Sequence, residues 1–421
     1  MEIRDKIIVI GGGFAGLQFA RQLNGKIDKK VMVIDKTNHH MFQPLFYQVA
    51  CGRIEPSNIS FPFRKIFQRS KNIQFRMTEV KEILPLENKI ITDDATFHYD
   101  KLVIATGCKT NFFGNQKMEN LAYGMKNTQE AISIRNHILL TFEKLIIERK
   151  SSDDGNWSIV IVGSGPTGVE LAGAFAEMKR EILPRDYPRM NFNDLDIILV
   201  SSTEKPLSVM SDEAQAESEK YLKDLGVKFI SNDRVVDYDG DKVYLKSGEI
   251  IASNNVIWAA GVTGNVISGL SETSLKNNRY IVDRYNKVQG FDNIYAIGDI
   301  AYMETPKYPN GHPQVANVAI NQGKNLAKNF LKKIQKDWSP YEYTDRGSMA
   351  TIGKHRAVVD LPKFKFQGFF AWYFWMFLHL MLILSVRNKL AIFFNWMWSY
   401  FNKDSSLRLI IIPNKKNKTE Q

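Results

Sequence analysis

The sequence predicts an α/β protein: two Rossmann-like dinucleotide-binding domains, followed by a C-terminal amphipathic helical region that anchors the chain to a membrane. Three observations carry this. A short apolar run leads into a Gly-x-Gly-x-x-Gly turn at Gly11, Gly13 and Gly16; another leads into the same turn at Gly163, Gly165 and Gly168; and from residue 368 the chain becomes almost continuously apolar and aromatic. A strand that ends in such a turn and opens a helix lets the backbone bend tightly and meet a pyrophosphate at the helix N-terminus. One copy alone is a weak signal, because glycine-rich turns also serve close packing. Two copies imply two dinucleotides.

In chain order, Ile7 to Ile10 is short and apolar enough for a buried parallel strand, and Phe14, Ala15 and Leu17 open the helix after the turn. Val31 to Ile34 forms the next strand, closed by Asp35 and Lys36, and Asp35 stands about where a ribose-binding carboxylate belongs. An irregular stretch and further strands end in Lys101 to Ile104, followed by Ala105, Thr106 and Gly107. We assign residues 1–112 to the first part of this domain.

The second unit spans 113–264 and includes a polar linker at 151–156. Ile159 to Val162 runs into the turn, with Pro166 and Thr167 inside it and Glu170 on the helix beyond. The following strand, Leu195 to Val200, ends in Ser201, Ser202, Thr203, Glu204 and Lys205, with hydroxyls where a carboxylate is expected. A carboxylate there accepts from a 2′-hydroxyl and repels a 2′-phosphate; Ser201, Ser202 and Lys205 relax that choice and leave NADH and NADPH both open. A helix over 212–225 and a strand ending in Ala260 and Gly261 complete the unit. Residues 265–340 return to the first domain, because Asn293 to Ile297 reads as a strand ending in Gly298 and Asp299.

Residues 341–421 change character. Residues 368–384 form an apolar segment at the lower limit for a bilayer span, and Leu390 to Phe401 is shorter still. Trp and Tyr favour the headgroup level, and Lys363, Lys365, Arg387, Lys389, Lys403, Arg408, Lys415, Lys416 and Lys418 flank both pieces, so we read two interfacial helices lying in one leaflet. The chain has 421 residues, enough for two or three domains, and a net charge of +11. That charge points to an anionic lipid surface rather than nucleic acid, for which no motif is present. Cys51 and Cys108 form no C-x-x-C pair, which removes the redox disulfide of thioredoxin-type reductases and fits a reducing compartment. No metal site is expected. The first strand starts close to Met1, so no secretory signal is expected.

Taken together, Gly11 to Gly16, His39 to Ala50, Ala105 to Gly107, Gly163 to Glu170, Trp258 to Val262, Gly298-Asp299, Pro313 to Ala316 and Gly347 to Gly353 resemble the type II NADH:quinone oxidoreductases, from about residue 5 to about residue 410. The resemblance implies non-covalent FAD in the first domain, NADH in the second, a membrane quinone (menaquinone or ubiquinone) as acceptor without proton pumping, and a homodimer on the cytoplasmic face of the cell membrane. It implies that Gly11, Gly13, Phe14, Ala15, Gly16, Asp35 and Lys36 hold the FAD adenosine and pyrophosphate. Gln43, Tyr47, Gln48, Ala105, Thr106 and Gly107 would line the flavin, and Gly298, Asp299, Gln314, Val315 and Ala316 would close over it. Gly163, Gly165, Pro166, Thr167, Gly168, Ser201, Ala260 and Gly261 would bind the nicotinamide dinucleotide, with Glu170 reaching the nicotinamide and flavin as a catalytic residue. The glutamines of the family's A-Q-x-x-x-Q quinone stretch fall on Asn317 and Asn321, each a methylene shorter, so a bond to a quinone carbonyl has to be remade over about 1 Å or through water. Two other readings remain. A sulfide:quinone reductase needs flavin-proximal cysteines in other positions, and a low-turnover regulatory flavoprotein draws support only from Ser201, Asn317 and Asn321.

Overall fold

The computed structural model describes residues 6–148, 158–402 and 407–411. The linker at 151–156, Lys403 and the tail lysines Lys415, Lys416 and Lys418 lie outside the described residues. In chain order, the elements that position the sites begin with β1 (Lys6–Ile10), α1 (Phe14–Leu23), β2 (Lys30–Asp35), α2 (Phe46–Ala50), β3 (Ile73–Met77), β4 (Lys101–Ile104) and α3 (Thr128–Glu148). They continue with β5 (Ile159–Val162), α4 (Pro166–Glu177), β6 (Ile197–Val200), α5 (Asp212–Asp224), β7 (Lys228–Ile230), β8 (Asn255–Trp258), β9 (Ile294–Ala296) and α6 (Ala316–Phe330). The last are β10 (Ser348–Thr351), β11 (Ala357–Asp360), β12 (Lys365–Gln367), α7 (Phe369–Leu382) and α8 (Val386–Asn402).

The chain forms two compact units. The first comprises Met1–Met41, Ser60–Lys109 and Val262–Asp345. Its sheet runs β9-β4-β1-β2-β3, all parallel. Helices cover both faces of such a sheet, so its strands are continuous apolar runs: Ile7 to Ile10 and Leu102 to Ile104 are buried throughout. Helix α1 buries Leu17, Phe19, Ala20 and Leu23 at helical spacing and packs on α6, where Gly323 leaves room for the carbonyl of Ala15. Burial of a side chain such as Phe19 is worth about 1.5–3 kcal/mol, and truncating it to Ala would cost about 3–5. The strand order reverses at β1, which places the ligand crevice at the C-terminal end of that strand.

The second unit comprises Phe42–Ile59, Thr110–Gly261 and Arg346–Gln421. Its sheet runs β7-β6-β5-β8, again parallel and reversing at the strand that carries the glycine turn. Residues 42–59, placed by the sequence reading inside the first domain at 1–112, belong to this unit: α2 buries Phe46, Tyr47, Val49 and Ala50 and packs on α3 and α4. The antiparallel strands β10 to β12 sit in it as well. Helix α4 meets β10 at Gly173, where a Cβ would lie 2.7 Å from the Gly353 amide.

Helices α7 and α8 have 14 and 17 residues, roughly 21 and 25 Å at 1.5 Å per residue, against a hydrocarbon thickness of about 30 Å. No helix among the described residues is long and apolar enough to cross a membrane. Each helix instead has two apolar faces. One packs inward through Ala371, Trp375 and His379 on α7 and Ile392 and Trp396 on α8. The other is a bare stripe: Phe370 (80% exposed), Phe377 and Met381 on α7, then Leu390, Phe394, Trp398 and Phe401 on α8.

Candidate functional site: two dinucleotide turns and a buried carboxyl

The two glycine turns are built alike. Gly11 (φ +100°) and Gly163 (φ +103°) adopt a backbone open to glycine, and each lies hard against the strand-end loop of its own sheet, Ala105 in one unit and Ala259-Ala260 in the other. Their amides donate to Ile34 O (2.7 Å) and Val200 O (2.8 Å). A side chain on Gly13 or Gly165 would meet nothing within 4 Å, so both cradles are open above the N-termini of α1 and α4. The first amides of a helix have no partner within it, and the macrodipole favours an anion there.

In the first unit, Asp35 closes β2 and its carboxylate accepts three hydrogen bonds. Oδ2 accepts from Gly12 N (2.7 Å), and Oδ1 accepts from Thr37 N and Thr37 Oγ1 (both 2.8 Å). Lys36 points away, 70% exposed and 3.9 Å from Glu79. Two residues of this site lie outside the expected set. His40 is buried with Nδ1 2.9 Å from Gly12 O; since a carbonyl only accepts, Nδ1 carries the proton, and burial lowers the ring to about 4, so it stays neutral. Asn265 exchanges hydrogen bonds with Thr106 through Nδ2 (3.0 Å) and its own carbonyl (2.7 Å), and its amide donates to Gly107 O (3.0 Å). A motif search could not find Asn265, 159 residues from Thr106. Asp299 follows Gly298, accepts from Cys108 Sγ at 3.1 Å, and takes the Gln314 amide on its carbonyl (3.0 Å). Val315 and Ala316 mark the cap and first residue of α6.

In the second unit, Glu170 lies beyond the first turn of α4, and its carboxyl is buried. It accepts from the Thr351 amide at 3.5 Å, and burial pushes it up to about 8. A helix dipole acting on an acid near the N-terminus would lower that value, so desolvation outweighs it here. From Thr351 a chain of side chains continues. Tyr47 Oη and Thr351 Oγ1 are 2.8 Å apart, Gln48 Nε2 donates to Tyr47 Oη (2.8 Å), and Trp396 Nε1 donates to Gln48 Oε1 (2.7 Å). Tyr47, Gln48, Thr351, Trp372, Trp375, Trp396 and Tyr400 line one cavity with Arg53, Lys354 and His355. Arg53 pairs with Glu177, which also takes the Lys354 amide. The cavity thus has aromatic walls, and its cations are already partnered: Lys354 also pairs with Glu181 (3.3 Å). The sequence reading placed Tyr47 and Gln48 at the flavin but did not connect them to Thr351 or Trp396, which lie about 300 and 350 residues on.

Pro166, Thr167 and Gly168 open α4 as expected, and Gly261 (φ +118°) follows Ala260 beyond β8. Gln43 stands exposed in a short turn before α2. Asn317 and Asn321 lie one turn apart on α6, and Asn321 Nδ2 donates to Asn317 Oδ1 (2.7 Å) and to its carbonyl (2.9 Å), so each amide is partly spent on the other. Cys51 is buried, its Sγ 3.6 Å from Gln48 O, and burial raises the thiol to about 11. It is held neutral and enclosed, which argues against the sulfur-handling role that a sulfide:quinone reductase would ask of it. No cluster that could hold a metal ion occurs among the described residues.

Residues 5–323 match the family model of the pyridine nucleotide-disulphide oxidoreductases, and residues 346–403 match the NDH2 C-terminal domain. Among curated proteins, the chain is 31% identical to the type II NADH:quinone oxidoreductase NdhA of Mycobacterium tuberculosis, over 95% of this chain and 88% of that one. It is 29% identical to the type II NADH:quinone oxidoreductase of Staphylococcus aureus, over 84% and 89%. Among solved structures, NDH2 of Plasmodium falciparum in complex with NADH superimposes with a TM-score of 0.90 at 21% identity, covering 97% of this chain and all of that one. The sulfide:quinone oxidoreductase of Aquifex aeolicus follows at 0.71, also 21% identical, over 95% and 96%. These last two show a shared fold. The matched models and the relatives at 30% identity or above, covering nearly the whole chain, place it among the type II NADH:quinone oxidoreductases.

Proposed function

We infer that the protein is a respiratory NADH:quinone oxidoreductase that uses non-covalent FAD and pumps no protons. The observation that carries this reading is the duplicated turn: two equivalent, open cradles on one chain, each at the reversal point of a parallel sheet, in a member of this family. The first turn fits FAD. Gly13 leaves the helix N-terminus clear for a pyrophosphate, Asp35 stands at the ribose position, and Asp299 keeps a carboxylate at the end of β9 for ligand hydroxyls. Bound FAD supplies the redox chemistry, accepting a hydride from NADH and passing two electrons to a quinone.

The protein's part is to bind, orient and manage protons. Gly163, Gly165 and Gly168 hold the nicotinamide dinucleotide by its pyrophosphate, with Ser201 at the adenosine ribose. Reducing a quinone to a quinol consumes two protons, and Glu170, neutral at pH 7, keeps one on its carboxyl beside the Thr351 amide. We assign the cavity of Tyr47, Trp375 and Trp396 to the quinone ring, because Gln48 and Tyr47 set hydrogen-bonding groups among the aromatic side chains that line it. The pairing of Asn317 with Asn321 makes α6 a weaker candidate for the carbonyl contact. We propose that the bare stripe of α7 and α8 lies in the headgroup region of the cytoplasmic leaflet, with anionic lipid as the partner of the flanking Arg387 and Lys389; its exposed apolar side chains support this. The homodimer is carried by the family resemblance alone. Steady-state NADH oxidation by the full chain in liposomes containing menaquinone or ubiquinone tests this reading. Quinone-dependent turnover supports it, and turnover with ferricyanide but with no quinone would refute the acceptor half.

A further inference from the structure

We propose that the second dinucleotide site accepts NADPH as well as NADH, with Ser201 as the residue that sets this breadth. The proposal rests on the function inferred above and deepens it by naming a second nucleotide substrate. The chain carries its own control, because the two sites can be aligned by strand register. β1 pairs with β2 through Ile10 and Ile34, and β5 pairs with β6 through Val162 and Val200. One residue further along lie Asp35 in the first site and Ser201 in the second, and the glycine turns opposite place Gly12 against Ser164.

The hydrogen bonds superimpose residue for residue. Asp35 binds the Gly12 amide and both the amide and hydroxyl of Thr37, two residues on. Ser201 Oγ binds Ser164 Oγ (2.6 Å) and both the amide (3.1 Å) and hydroxyl (2.8 Å) of Thr203, also two residues on. The local geometry is kept and the negative charge is gone. Ser201 and Ser164 are buried, so their hydroxyls are committed to this ring, while Ser202 beside them is exposed. A carboxylate at the ribose edge selects against a 2′-phosphate by like-charge repulsion; a neutral hydroxyl does not. The other charges nearby are the acids Glu204 and Asp233 and the cations Lys205 and Arg234. Asp233, whose amide donates to Ser201 O (2.9 Å), keeps its charge and holds Oδ1 on the amides of Arg234 (2.8 Å) and Ser247 (3.3 Å), and Glu204 stands exposed beside Lys205.

The test uses the FAD-loaded full chain and two readouts. In anaerobic stopped-flow, the second-order rate of flavin reduction by NADH should exceed that by NADPH by no more than about tenfold, and Ser201→Glu should raise that ratio by at least another tenfold. By calorimetry, 2′,5′-ADP should bind the wild type at least as tightly as 5′-AMP and lose that parity in Ser201→Glu. Ser201→Asp provides the same charge should the longer side chain disturb folding. A wild-type preference for NADH above about a hundredfold, or a ratio that neither variant changes, overturns the proposal while leaving NADH oxidation standing. If neither nucleotide bleaches the flavin, the oxidoreductase reading fails, and the 2′,5′-ADP titration still decides this one.

Discussion

Replacing Glu170 with Gln removes one ionisation and little else, since the amide keeps the shape of the carboxyl and can still accept from the Thr351 amide. Burial raises the carboxyl from its ordinary 4.5 to about 8. Because the folded value lies above the unfolded one, the group's contribution to stability is complete below pH 4.5 and is lost as the pH rises to about 8. At about 1.4 kcal/mol per tenfold change in proton affinity, the whole range is worth at most roughly 5 kcal/mol, of which roughly 2–3 falls between pH 6 and pH 9. The variant cannot ionise and lacks this slope. Unfolding entropy near 2.1 cal/mol/K per residue converts 2–3 kcal/mol into roughly 2–3 °C for a chain this size, and more if the second unit unfolds by itself. Thermal unfolding of FAD-loaded wild type and Glu170→Gln in matched buffers from pH 6 to 9 measures it. Relative to the variant, the wild type should lose Tm as pH rises. The pH profile of quinone reduction should show a break near 8 in the wild type and none in the variant. Parallel unfolding curves across the range would show that Glu170 is already ionised at neutral pH, and the proton-holding role would fall.

Cys108→Ala removes the thiol that donates to Asp299 and should weaken FAD binding about three- to tenfold, the scale of one ordinary hydrogen bond, read as flavin fluorescence released on dilution. Trp396→Phe strips the donor from the buried Gln48 amide; a loss of about 1–3 kcal/mol in stability and a raised KM for quinone, with NADH-ferricyanide turnover retained, is expected. Phe377→Glu together with Phe394→Glu should lower liposome binding by a hundredfold or more, at about 1.5–3 kcal/mol per buried aromatic, without changing NADH-ferricyanide activity, as sedimentation with vesicles would show.

The strands and turns were legible because both sheets bury their strands on two faces, so Ile7 to Ile10 and Ile159 to Val162 read as unbroken apolar runs ending in glycine. The transfer of residues 42–59 to the second unit was not legible. The partners of Phe46 and Val49 lie on α3 and α4, some 80 to 130 residues away, and no local pattern names them. Glu170 was visible as a residue type at a position, but its protonation depends on the packing around it and on β10, far down the chain. The same holds for α7 and α8. Their aromatic content and flanking cations read as two interfacial helices lying in one leaflet. Their inner faces also bury Trp375 and Trp396, so deleting 365–421 should expose the aromatic cavity and destabilise the second unit. The correspondence of Thr37 with Thr203 could have been found by aligning the two halves of the chain on the strands that end in Ile34 and Val200, each three residues before its threonine.

The most direct measurement of the central claim is a two-step anaerobic stopped-flow experiment on the purified, FAD-loaded chain. NADH is mixed first while the flavin absorbance is followed, and a short-chain menaquinone or ubiquinone second. Full bleaching within the dead time to seconds, followed by recovery at a rate proportional to quinone, is the result this account requires. Bleaching by NADH with no faster recovery in any quinone than in buffer would contradict it.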